Sequence, residues 1–92
     1  MEILENEKNC LIIEGNEVLT FFSYNSKIAT FNKKTSILKL NSKKWDFSQT
    51  TLKQLKRFIN SYVEKDYYIN RKDFEKRIHK NGNIFLVDEA YL

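Results

Sequence analysis

The chain has no proline, only two glycines (Gly15 and Gly82), one cysteine (Cys10) and one histidine (His79). Two isolated glycines cannot build the loop that cradles phosphates in nucleotide-binding motifs, so that class is excluded. A lone cysteine forms no intramolecular disulfide and no zinc site with other thiols, which predicts a reducing, cytoplasmic setting. One histidine offers no pair to share a metal, and it falls on the polar side of a short predicted helix, whereas Cys10 sits in an apolar strand. No nucleophile–base pairing is legible. Carboxylates such as Glu64, Asp66 and Asp73 stand among lysines and read as surface charge. The expectation is a domain without enzymatic activity, cofactor or metal. The chain also lacks the roughly 20 consecutive apolar residues of a membrane span, a signal-peptide core near Met1–Lys8, and any repeat or low-complexity linker.

What is present suffices for a fold. Over 92 residues, 41% hydrophobic and 14% aromatic content supports one core, so a single domain covering residues 1–92 is expected. The net charge of +4 conceals an uneven distribution. Residues 1–42 hold five basic and five acidic side chains. Residues 43–80 hold eleven basic against five acidic, an excess of +6, and Asp88 and Glu89 take back two charges.

Short runs rich in β-branched and aromatic residues predict strands at Cys10–Ile13, Val18–Phe22, Lys27–Asn32 and Ser36–Asn41, with none before Cys10. Gly15-Asn16 is read as the positive-φ turn of the first hairpin, and Leu38-Lys39-Leu40 alternates as a half-buried strand does. After Trp45 the apolar period lengthens to about 3.6. Leu52, Leu55, Phe58, Ile59, Tyr62 and Val63 predict a helix over residues 49–64, capped by Ser48 or Thr50. A second helix is predicted over Arg71–Lys80 with Asn70 as N-cap and Asn81-Gly82 as its stop, followed by a strand at Asn83–Val87. The predicted fold is α+β: a small antiparallel sheet of about four to five strands packed by two helices, in the order ββββααβ.

The helical segment holds the candidate binding residues. Lys53, Lys56 and Arg57 project opposite the apolar stripe of the first helix. Arg71, Lys72, Lys76, Arg77 and Lys80 line the second, and Tyr67 and Tyr68 in the linker are the candidate exposed anchors. Such a surface would attract phosphate backbones or an acidic protein patch, although a solvated lysine face would look the same. Trp45 and Phe47 are expected to clamp the first helix to the sheet. Two helices ahead of a strand also suggest a winged helix-turn-helix, but the linker Lys65–Asn70 is long for one and lacks glycine.

The stretches Phe22-Ser-Tyr-Asn-Ser-Lys-Ile-Ala29 and Trp45-Asp-Phe-Ser-Gln-Thr-Thr-Leu-Lys53 resemble a small domain family of unknown function found in phage and prophage proteins. The likeness spans about residues 21 to 59 and departs at Ser26, where the pattern has Thr, and at Gln54, where it has His. It implies a phage origin and no established chemistry. By class analogy, a small phage-borne domain without catalytic equipment resembles anti-CRISPR inhibitors. The expected partner is accordingly a host protein complex such as a CRISPR effector, in the host cytoplasm, or alternatively nucleic acid for a basic accessory protein.

Overall fold

A computed structural model describes residues 1–80 and 83–92, apart from the side chains of His79 and Lys80. Six strands form one sheet in the order β1 to β6: β1 Glu2–Glu7, β2 Cys10–Glu14, β3 Val18–Ser23, β4 Ser26–Asn32, β5 Ile37–Asn41 and β6 Ile84–Val87. The first five make an antiparallel meander. Between β5 and β6 the chain crosses over through α1 (Gln49–Phe58), a π-helical turn at Ile59–Val63 and α2 (Arg71–Lys80). A crossover of this length returns the last strand in the same direction, so β6 pairs with β5 in parallel and the sheet is mixed, not antiparallel. A 3-10 turn, Glu89–Tyr91, follows.

The α+β order with strands first is as predicted, but the strand count is six. The extra strand is β1. Its glutamates disguise it, and a bulge between Ile3 and Glu5 breaks its alternation. The β3–β4 turn is made by Tyr24 and Asn25, with φ of 51° and 66°, the pair of left-handed residues that suits a two-residue hairpin. Gly15, expected in that role, does not take a positive φ.

Both helices lie on one face of the sheet. Cys10, Ile12, Leu19, Phe21, Leu38, Leu40 and Ile84 point into that layer and meet Leu55, Phe58, Ile59 and Phe74. The bulge at Phe21/Phe22 gives β4 one extra residue, so Ile28 and Ala29 are both buried. Phe21 stacks on Phe58 at 5.5 Å between centroids, and Trp45 and Tyr68 pack on Phe74 at 5.8 and 4.4 Å. Trp45 is buried as expected, but the ring it packs on, Phe74, belongs to α2 and not to the first helix. Phe47 is not buried: it is 49% exposed and meets Tyr24 edge-on, just ahead of the Ser48 N-cap.

Four side chains tie α1 to β3. Ser23 Oγ donates its one hydrogen to Gln54 Oε1 at 2.6 Å, so Thr51 Oγ1 must be the donor in its 3.0 Å contact with Ser23. Ser48 Oγ in turn donates to Thr51 Oγ1 and accepts from the Thr51 amide, both at 3.0 Å, which caps α1. Every hydrogen in this part-buried chain has a fixed direction, so it specifies how the helix sits on the sheet.

A candidate binding groove on the helical layer

Gln49, Leu52, Lys53 and Lys56 recur at helical spacing along one face of α1. With Tyr68, Ile69, Asn70 and Arg71 they line a shallow groove of about 300 Å³. The floor is apolar: Leu52 and the edge of Tyr68, with Ile69 standing 54% exposed beside them. Local bonds fix the linker that forms the second wall. Asn60 Nδ2 donates to the Tyr68 carbonyl at 2.9 Å, Asn60 Oδ1 accepts from the Tyr68 amide at 3.0 Å, and Arg77 donates to the Tyr67 carbonyl.

The predicted site residues separate into two groups. Lys53, Lys56, Tyr68 and Arg71 come together at the groove, and Lys72 and Lys76 stand exposed on α2. Among the described residues Lys53, Lys56, Lys72 and Lys76 enter no ion pair. Arg71 does: its guanidinium binds Asp46 and Glu75, each at 2.9 Å, so the unbalanced charge at the groove comes from the two lysines.

The second group works inside the fold. Arg57 reaches Glu5 at 3.4 Å, Glu7 at 3.6 Å and the Cys10 thiol at 3.5 Å, which fastens the edge strand β1 to α1. The Arg77 guanidinium lies 4.9 Å from the Tyr67 ring centroid. Tyr68 is only 3% exposed, which corrects its reading as an exposed anchor. Stacking on Phe74 and the Asn60 bonds to its backbone draw it into the core. Ile69, next in sequence, is the exposed residue instead. The side chain of Lys80 lies outside the described residues, as does the expected stop at Asn81-Gly82.

The titratable groups show tuning by burial. Burial pushes the Cys10 thiol above its usual range, and the neighbouring Arg57 opposes this without overcoming it. The Tyr68 and Tyr67 phenols are likewise raised by burial against the pull of Arg71 and Arg77. Among the described residues no cluster of three histidine, cysteine or carboxylate side chains is placed to hold a metal. Among the described residues no helix is long and apolar enough to cross a membrane.

The model of a family of unknown function, DUF8033, matches residues 2–76. The chain belongs to the DUF8033 family. No curated protein and no solved structure matches it. The DUF8033 match takes in every groove residue and stops before β6. Within this DUF8033 domain, the motif residues that carried the sequence resemblance are architectural. Tyr24 and Asn25 make the hairpin turn, Ser23, Ser48 and Thr51 make the hydroxyl chain, and Trp45 packs on Phe74. Gln54, at the position where the resembled pattern carries histidine, ends that chain as its last acceptor.

Sequence reasoning missed a second surface. The face of the sheet that the helices leave bare presents Lys27 and Lys39 beside Phe22 and Phe85. The signal was available in Leu38-Lys39-Leu40, whose alternation sends Lys39 to the face opposite the core.

Proposed function

We propose that the protein is a non-enzymatic binding domain that docks an acidic segment of a partner protein in the groove between α1 and residues 68–71. One observation carries this reading: an apolar floor, with Ile69 exposed in a fixed linker, is rimmed by Lys53 and Lys56, which have no carboxylate partner among the described residues. Desolvated apolar contact inside a rim of opposite charge is how protein interfaces obtain both affinity and steering. A nucleic acid has little use for an aliphatic floor, so this groove favours protein. In its narrowest form the proposal is an inhibitor covering a surface of a host nuclease complex. That form rests on the class analogy and not on the groove.

The test is a paired affinity capture from nuclease-treated bacterial lysate with the wild type, Ile69→Asp, and a Lys53→Glu/Lys56→Glu variant. A protein captured stoichiometrically by the wild type and lost by both variants supports the reading. Capture that ignores the substitutions, or that occurs only when nucleic acid is left intact, overturns it.

A further inference from the structure

The helices α1 and α2 leave the other face of the sheet bare except where Tyr91 and Leu92 line it, and its charge is one-sided. Along β2 to β6 the side chains that alternate onto it include Phe22, Lys27, Lys39 and Phe85 and not one carboxylate. The acidic residues of the sheet go elsewhere. Glu5 and Glu7 turn toward α1 and bind Arg57, while Glu14 pairs with Lys33 at 2.7 Å. The carboxylates that follow β6 are also engaged: Asp88 accepts from the Ala90 amide, and Glu89 accepts from Asn41. Lys27 and Lys39 enter no ion pair among the described residues.

Cross-strand register interleaves cations and rings. Lys27 lies opposite Phe22, and Lys39 stands between Thr30 and Phe85. Phe85 is 45% exposed although it sits within a strand. A cleft of about 440 Å³ runs across this face, lined by Lys27, Thr30 and Lys39 and by the aliphatic Val18, Ile37 and Leu92, with Phe22 and Phe85 standing outside it. Two lysines without an ion pair among the described residues, set near the rings of Phe22 and Phe85 with no carboxylate contributed by β2 to β6, match a backbone of phosphates carrying bases that can stack. A duplex is a poorer fit, because reading its major groove needs a protruding helix or ribbon and its bases are already stacked.

We infer that this open face binds single-stranded nucleic acid, with Lys27 and Lys39 on phosphates and Phe85, aided by Phe22, stacking on bases. The surface is separate from the helical groove, so either assignment can fail without the other.

Fluorescence anisotropy with labelled oligothymidylate and oligouridylate of about 10 nucleotides, and with a duplex of equal length, tests it. Two phosphate contacts on a single strand predict a log–log salt slope of about −1.4, or roughly sevenfold weaker binding when salt rises fourfold. Lys27→Glu/Lys39→Glu should remove that dependence and weaken binding about tenfold or more. Phe85→Ala should weaken binding about fivefold or more, which is in the range of one lost stacking contact. A Lys72→Glu/Lys76→Glu variant, equal in charge change and outside the helical groove, should change it less than about threefold, since α2 is on the other side of the sheet. Amide shift mapping with the oligothymidylate should place the perturbed residues on β3 to β6. Absence of single-strand binding at low salt, equal or tighter binding of the duplex, or sensitivity to the helical-layer variant alone, overturns the proposal.

Discussion

The two faces of one sheet are written in the same strands, one residue out of step, and they have opposite characters. On the face under the helices, Ile12, Phe21 and Leu40 have no solvent exposure and contact Phe58, Ile59 or their neighbours. On the other face Phe22, Lys27, Lys39 and Phe85 stand at least partly in solvent, with neither α1 nor α2 above them. A period of two makes such a division possible, because each face can be composed without disturbing the other. In the proposed reading, stability and recognition are then assigned to alternate residues.

The largest effect expected from breaking this division is on the covered face. Phe58→Ala removes a buried ring that stacks on Phe21 and packs at a tilt on Tyr62, and should cost about 3–5 kcal/mol by denaturant unfolding. Phe85→Ala, the same chemical change on the open face, should cost about 1 kcal/mol or less. Equal losses at the two positions would mean that the open face is part of the core.

The hydroxyl chain gives a smaller effect. Thr51→Val keeps the shape but takes the donor from Ser23 and the acceptor from Ser48. A loss of about 1–3 kcal/mol is expected. A double cycle with Ser23→Ala should show strong coupling, because the second substitution removes the group that the first leaves unsatisfied.

The pH response sharpens the same contrast. Cys10 and the phenols of Tyr62, Tyr67 and Tyr68 all hold their protons more tightly in the folded chain, chiefly through burial. The unfolded chain therefore binds fewer protons at alkaline pH, and stability falls as pH rises. Stability from these groups should be intact below about pH 8.5, where a free thiol begins to titrate, and decline above it. Denaturant midpoints measured across that range, with Cys10→Ala as the comparison, check the direction. The Cys10→Ala curve should fall less steeply near the thiol range and then follow the wild type where the phenols titrate.

The fold was legible where one physical signal dominated. The 3.6 period of Leu52 through Val63 located the first helix, and the four strands from β2 to β5 followed from their branched and aromatic runs. β1 was hidden because its stabilising contacts are long-range: Glu5 and Glu7 mark it as polar in sequence, yet they hold it to Arg57 across 50 residues or more. The parallel direction of β6 depends on how a crossover closes, which no local pattern encodes. For the candidate sites, counting charge by segment singles out Lys53 and Lys56 but passes over Lys27 and Lys39. Residues 1–42 sum to zero, and the sum conceals that the glutamates of the sheet go to one face or its ends and these two lysines to the other. Tyr68 was misplaced for a related reason: a linker position says nothing about an aromatic stack with Phe74.

The smallest expected change in stability is the one that best separates the cations by role. Lys53→Glu/Lys56→Glu and Lys27→Glu/Lys39→Glu break no ion pair among the described residues, so each variant should unfold within about 0.5 kcal/mol of the wild type. Arg57→Ala, by contrast, releases Glu5 and Glu7 and loosens the hold on β1. Its part-exposed position limits that loss to about 1 kcal/mol. A lysine pair neutral for folding but decisive for binding belongs to a recognition surface. A pair that costs stability as Arg57 does would be acting in the fold, and its face would lose the claim made for it. The two lysine variants, each measured against protein capture and against single-stranded oligonucleotide, therefore decide whether the domain presents two recognition faces, one or none.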